Sequence, residues 1–167
     1  MAKTMTEKPA NSDRGSLLPL RLAYYAEVIV ALLRLLDPHF FRPAPTTAVV
    51  IVIGIVLMVV GLVVRVQAYR ALGKCWSLRV QIKEGQPLVR TGPYRFVRHP
   101  AYLGMLLVCL GIPIAFRSIW AAVVMAAGMW PAVAYRIRIE ERLLEAHFGD
   151  EYRAYAQRTA RLIPRVF

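Results

Sequence analysis

Two stretches of the chain hold residue types that can bind a small polar molecule. The first is Gly92-Pro93-Tyr94, followed by Arg98-His99-Pro100-Ala101-Tyr102-Leu103-Gly104. His99 precedes a proline and is biased away from the helical region. Pro100 suits the first turn of a helix that follows. The N–H groups at such a helix start can hold an anion such as a carboxylate, and Tyr94, Phe96 and Tyr102 offer flat surfaces. The second stretch is Arg136-Ile137-Arg138-Ile139-Glu140-Glu141-Arg142. On a helix Arg136 and Glu140 are neighbours, as are Glu141 and Glu145. A carboxylate here could accept hydrogen bonds from ribose hydroxyls or meet an ammonium group. The chain has only ten acidic residues, so three within six positions (Glu140, Glu141, Glu145) stand out. Two plainer readings stay open: aromatic and arginine anchors at a lipid headgroup level, and a solvated, salt-bridged helix.

Long apolar blocks must position these stretches. Apolar residues make up 57% of the 167 and charged residues 19%, and the mean hydropathy is +0.45. Those figures exclude a disordered chain and argue against an ordinary soluble domain. Residues 46–64 run for 19 positions without a charge. That is about 29 Å of helix at ~1.5 Å per residue, close to the thickness of bilayer hydrocarbon. Gly54 and Gly61 share one face of it, which suits close packing inside the monomer or, alternatively, in a dimer. Residues 17–36 form a weaker span carrying Arg21, Glu27 and Arg34. Glu27 is expected to face protein, unless the helix lies partly in the interface. Residues 102–116 and 119–135 are shorter blocks joined by Arg117 and Ser118, a tight helical hairpin with kinks expected at Gly111, Pro113 and Pro131. In the tail, a helix is expected from about 136 to 147, stopping at Gly149. A second follows, capped by Asp150 and ended by Pro164. The expected fold class is an all-α integral membrane protein with about four transmembrane helices, in which a cytoplasmic loop and C-terminal helices (136–163) close a pocket. It forms one domain over 17–167 behind a flexible tail, 1–16. The two ends of the hairpin lie side by side, so the two polar stretches are expected to build a single site.

The net charge is +12, from 22 Lys+Arg against 10 Asp+Glu. With four spans, 19 of the cations fall on one side and three on the other, the positive-inside pattern. Both termini and the pocket are then cytoplasmic. Basic segments at anionic headgroups account for the charge, and no nucleic-acid partner is expected. The 18 arginines against four lysines hint at a bacterial inner membrane. Cys75 and Cys109 set no disulfide framework. His39, His99 and His147 lack metal-ligand spacing, so no metal is expected. No small-residue cleavage site follows a short apolar core, so no removed signal peptide is expected. The oligomeric state stays open.

Gly92-Pro93-Tyr94, the run from Arg98 to Gly104, Glu140-Glu141, Phe148-Gly149, Glu151-Tyr152, Tyr155 and Ile163-Pro164 resemble, in that order, the isoprenylcysteine carboxyl methyltransferase family. These are integral-membrane enzymes that use S-adenosylmethionine. The resemblance covers residues 65–167, roughly three fifths of the chain. It implies a cytosolic pocket for S-adenosylmethionine closed by the C-terminal helix, and a lipophilic substrate entering from the bilayer. Carried onto matching positions, the cofactor contacts are Gln86, Pro87, Leu88, Val89, Tyr94, Arg98, His99, Pro100, Ala101, Tyr102, Glu140 and Glu141, with Gln81 as a further one. Arg136 matches an arginine near the substrate carboxylate, and Arg138 could serve in the same role. Gln86 stands where the eukaryotic enzymes have histidine, and four spans are fewer than the five or more of relatives. Related bacterial proteins are therefore expected to methylate molecules other than prenylcysteine.

Methyl transfer from a sulfonium is an in-line displacement with a neutral leaving group, so alignment and exclusion of water are the main demands. A carboxylate nucleophile needs no base, and Arg136 or Arg138 could orient it by paired hydrogen bonds. An amine or thiol must first lose a proton, with His99 as a candidate acceptor. Two alternatives are an NADPH-dependent membrane reductase, distantly similar to sterol reductases, and a non-catalytic membrane protein that keeps the motifs as structure. No Gly-x-Gly-x-x-Gly run supports the first.

Overall fold

The computed structural model describes residues 17–36, 48–75 and 85–163. The tail 1–16, the turn 37–47, Gln81, Pro164 and the side chains of Glu27 and Arg34 lie outside the described residues. The described chain is helical: α1 (Leu17–Leu36), α2 (Ala48–Leu72), α3 (Pro100–Ala115), α4 (Ile119–Phe148) and α5 (Asp150–Arg158). Short 3₁₀ turns cover Gly73–Cys75 and Gly92–Arg95.

Among the described helices, α2 is the one long and apolar enough to cross a bilayer by length and composition. Its outer face carries Val49, Val52, Ile55, Val56, Val59 and Leu62, each at least half exposed. A contiguous aliphatic surface of that kind is stable against hydrocarbon, not water. The inner face of α2 packs on α3 through glycines. A Cβ placed on Gly54 would lie 2.8 Å from the Gly111 carbonyl oxygen, and one on Gly61 would lie 2.6 Å from that of Gly104. The pairing runs antiparallel, with both glycine pairs seven residues apart, two turns of helix. The face of Gly54 and Gly61 is therefore covered within the monomer. Gly111, expected as a kink, is a close-packing position in a helix that continues through Pro113.

α3 and α4 are joined by residues 116–118. Arg117 takes a left-handed backbone (φ 54), and Ser118 caps α4 by accepting from the Ala121 N–H at 3.2 Å. α4 is a single helix of 30 residues. The expected separation at 135/136 is absent, because no glycine or proline stands there to interrupt it. The helix runs on through Pro131 and carries Arg136 and Glu140 out of the apolar half. It also centres the core: Met129, Val133 and Ile137 are almost fully buried against Ala23 of α1, Cys109 of α3 and Leu162. Gly149 ends it with φ 54. Gly149 also takes the cap position of α5 that Asp150 was expected to hold, and Asp150 sits in the first turn, paired with Arg153 at 2.9 Å. α5 stops at Arg158, because the following backbone pairs with the loop before α3: Arg98 N–H donates to Ala160 O at 2.8 Å, and Ala160 N–H to Phe96 O at 3.3 Å.

Candidate functional site

The short connection lays the first turn of α3 beside the middle of α4. Arg136, buried at 4% exposure, donates from Nε to the Tyr102 hydroxyl at 2.8 Å. That hydroxyl donates to Glu140 Oε2 at 2.8 Å. The i,i+4 spacing puts Arg136 and Glu140 on one face of α4, and Tyr102 bridges them from the neighbouring helix. The two polar stretches thus meet.

Above this bridge lies a cavity of about 210 Å³. One water needs ~10–15 Å³ on the same measure, so the space is that of a small organic molecule. Of the residues singled out in the sequence, Gln86, Pro87, Leu88, Val89, Tyr94, Arg98, His99, Ala101, Tyr102, Arg136 and Glu140 line it. Pro100, Arg138 and Glu141 do not. Pro100 is buried as the first residue of α3. Arg138 is two positions from Arg136, on the opposite side of α4, and exposed. Residues 86–89 are in neither helix nor strand, and they pass along the wall as coil.

Glu141 has a different task from its neighbour. It accepts from Arg98 Nε at 3.0 Å and Arg161 Nε at 3.1 Å, and it lies 3.4 Å from His99 Nε2. Arg98 in turn donates from Nη1 to the carbonyls of Ala156 and Thr159, both at 2.6 Å. These contacts latch the end of α5 to the loop before α3. Burial pushes the Glu141 carboxyl pKa up. The hydrogen bonds from His99 and Arg161 and the charges of His99 and Arg98 outweigh burial together and hold it at about 2. Further along α5, the Tyr155 hydroxyl donates to the Tyr94 carbonyl at 2.6 Å, and burial pushes its pKa up to about 12. Arg90 pairs with Glu151 at the rim. α5 is thereby fixed over the cavity as a roof.

Sequence reasoning missed several wall residues. Arg65, Tyr69, Leu72 and Cys75 come from the end of α2 and its 3₁₀ turn, and Leu17 and Leu20 come from α1. The available signal was Arg65, the first charge after 19 uncharged residues, with Tyr69 four positions on. Tyr152 and Tyr155 belonged to the motif run but not to the expected contacts, and both line the cavity. The Tyr152 hydroxyl is buried with no hydrogen-bond partner among the described residues. Such a group is costly unless something satisfies it.

The sequence model of the family described as phospholipid methyltransferase matches residues 49–151, well over half of the chain. The chain belongs to this family. Protein-S-isoprenylcysteine O-methyltransferase A of Arabidopsis thaliana is 32% identical over 115 residues, covering 68% of this chain and 58% of that protein. Methanethiol S-methyltransferase 1 of Bradyrhizobium diazoefficiens is 47% identical over 78 residues, 42% of this chain and 24% of that protein. The solved structure of the eukaryotic intramembrane Ras methyltransferase ICMT (isoprenylcysteine carboxyl methyltransferase) superposes with a TM-score of 0.67 at 22% identity, over 96% of this chain and 55% of that one. The chain spans a little over half the length of the isoprenylcysteine methyltransferases it matches. The resemblance to the isoprenylcysteine carboxyl methyltransferase family is thus matched in sequence and in fold. This phospholipid methyltransferase family member shares its helical fold with an enzyme that works inside the membrane.

Proposed function

We propose that the protein binds S-adenosylmethionine in this cavity and methylates a lipophilic, membrane-associated substrate. The observation that carries this is the joint wall: the loop and first turn of α3, the Arg136–Glu140 face of α4, and the roof of α5 enclose one small-molecule space. Family membership and the methyltransferase relatives support it over the reductase alternative. The residues fit the cofactor. Glu140 is the one carboxylate lining the cavity among the described residues; it suits ribose hydroxyls or an ammonium. Tyr94 and Phe148 offer ring faces, and the unpartnered Tyr152 hydroxyl offers a buried polar contact. Gln86 to Val89, His99 and Ala101 complete that part of the wall.

When bound, the cofactor supplies a methyl group activated on a sulfonium. The chain's own contribution is alignment and dryness. Tyr102 fixes the Arg136 guanidinium, and Arg136 orients an incoming carboxylate by paired hydrogen bonds. α5 excludes water from above. A carboxylate nucleophile requires no base, which suits a wall whose histidine, His99, is buried and committed to Glu141. The aliphatic face of α2 and the apolar halves of α1, α3 and α4 support four spans with the α3–α4 pair as a membrane hairpin. The charge asymmetry puts the cavity and both termini on the cytoplasmic side. Isothermal titration of the detergent-solubilised protein with S-adenosylhomocysteine, followed by labelled-methyl transfer into a lipid extract, tests the proposal. Binding and incorporation are expected; absence of binding overturns it.

A further inference from the structure

The cavity leaves out Arg138, one of the residues to which the sequence points. Arg138 sits on the outer face of α4 with Arg142, one turn further on, and both are exposed. Steps of three and four residues place Ala127, Pro131, Tyr135, Arg138 and Arg142 in one stripe along the helix. Tyr135 is 48% exposed, and Ala127 and Pro131 are exposed as well. Neither arginine has an ion pair or hydrogen bond among the described residues. The described carboxylates are all committed elsewhere: Glu140 to Tyr102, Glu141 to Arg98 and Arg161, Glu145 and Asp150 to Arg153, and Glu151 to Arg90. Glu145 decides the point, because it stands three positions from Arg142 and still pairs with Arg153 at 2.9 Å. Like charges at i,i+4 repel, so this pair of guanidiniums is favoured with an anion beside it.

The depth of the stripe says which anion. Tyr135 closes the uncharged block 119–135, so its ring marks the edge of the hydrocarbon, where amphipathic aromatics settle. Arg138 and Arg142 follow ~4.5 and ~10.5 Å further along the axis, at ~1.5 Å per residue. The headgroup layer on each side of a bilayer is about 5–7 Å thick. Arg138 therefore lies within it, and Arg142 reaches back into it from the outer edge. A planar guanidinium meets phosphate oxygens in pairs. Below Tyr135 the stripe turns to Ala127 and Pro131, small side chains that leave room for acyl chains. Apolar, then aromatic, then cationic is the order in which a phospholipid presents its chains, its ester zone and its phosphate. The leaflet in which the charge asymmetry places this end of α4 is the anionic one. The stripe faces away from Arg136 and the cavity, so a lipid seated here is not the methyl acceptor.

We infer that this outer stripe of α4 is a docking site for an anionic phospholipid, with Arg138 and Arg142 holding its phosphate and Tyr135 at its ester zone. The inference rests on the membrane placement proposed above and is independent of the methyl transfer. The detergent-solubilised full chain is titrated with phosphatidylglycerol, with phosphatidylcholine of the same acyl chains and with soluble glycerol 3-phosphate, and bound molecules are counted by native mass spectrometry. The variants are Arg138→Gln/Arg142→Gln, Arg138→Lys/Arg142→Lys and a charge-matched control, Arg95→Gln/Arg158→Gln, at two exposed arginines outside the stripe. Helical circular dichroism and a monodisperse chromatographic peak show that each is folded. Wild type is expected to prefer phosphatidylglycerol over phosphatidylcholine by about tenfold or more, the scale of two arginines at an anionic headgroup. Arg138→Gln/Arg142→Gln is expected to reduce that preference to below about twofold, with the lysine pair intermediate. The control is expected to keep it. A retained preference in Arg138→Gln/Arg142→Gln, or no preference in wild type, overturns the inference. An equal loss in the control overturns it by assigning the effect to net charge. Glycerol 3-phosphate binding as tightly as phosphatidylglycerol overturns it as well, because free phosphate then suffices. Each of these results leaves the membrane placement intact. Release of wild type from membranes by alkaline carbonate overturns that placement, and the inference with it.

Discussion

Glu140 and Glu141 are adjacent, chemically identical and predicted to fail in opposite ways. Successive helical residues point about 100° apart, so Glu140 faces the cavity while Glu141 faces the latch between Arg98, His99 and Arg161. The Glu141 carboxyl has a pKa of about 2 against an ordinary 4.5. At ~1.4 kcal/mol per pH unit this gap corresponds to ~3 kcal/mol of native stability at neutral pH, roughly a hundredfold in the unfolding equilibrium. The side chain is only 14% exposed, so screening by water removes little of it. Because the folded pKa lies below the unfolded one, this stability is complete above about pH 4.5 and is lost as pH falls toward 2. Glu141→Gln is therefore expected to destabilise by ~3 kcal/mol at pH 7 and to flatten the stability profile between pH 4.5 and 2. Its S-adenosylhomocysteine affinity should stay within about threefold under conditions where the variant is folded. Glu140→Gln should do the reverse: an affinity loss of about tenfold or more, the worth of a hydrogen bond to a charged group, with stability within ~1 kcal/mol. The assay is chemical unfolding in detergent across pH, paired with calorimetric titration. If Glu141→Gln loses affinity at unchanged stability, or both variants lose both in equal measure, the division of labour is wrong.

Tyr152→Phe removes a buried hydroxyl that lies beside the Glu141 carboxylate without a well-formed hydrogen bond. It should leave the melting temperature unchanged or raised, yet weaken S-adenosylhomocysteine by about three- to tenfold in titration. Gly61→Leu drives a side chain into the α3 backbone, where even a Cβ would lie 2.6 Å from the Gly104 carbonyl oxygen. A cost of ~3 kcal/mol or more is expected, read as loss of the monodisperse peak in detergent chromatography. Arg98→Lys keeps the charge but loses the planar fork that serves Glu141 and two carbonyls together. Limited proteolysis should then cut the chain after Arg158 several times faster than in wild type.

The helices were legible because their signals are local: uncharged runs, a two-residue connection, glycines at turns. The meeting of the two polar stretches was legible from topology alone, since a short hairpin must return its second helix beside the start of its first. What stayed hidden depended on rotation and tertiary contact. Nothing in Glu140-Glu141 says which carboxylate faces inward until α4 is packed, and Arg136 and Arg138 separate for the same reason. The separation expected after Tyr135 reflected a change of solvent, from apolar to polar, and a helix with no glycine or proline between Ala132 and Phe148 does not register such a change. Gly111 read as a kink beside Pro113, and only the approach of Gly54 makes it a contact surface. Arg65 is separated from Arg136 by 70 positions of sequence, and the end of α2 reaches the cavity through the glycine seam with α3 and its packing on the turn at Gly92.

That seam and the unbroken α4 together order the cavity by depth. Arg136 and Glu140 differ by four residues along one rod, ~6 Å at ~1.5 Å per residue, and Arg136 is the one nearer the apolar half. The Tyr102 hydroxyl is bonded between the two. On the proposed reading, a cationic methyl donor would meet Glu140 and an acceptor carboxylate would meet Arg136. The four-residue spacing on α4 keeps the guanidinium and the carboxylate on one face and within reach of a single hydroxyl.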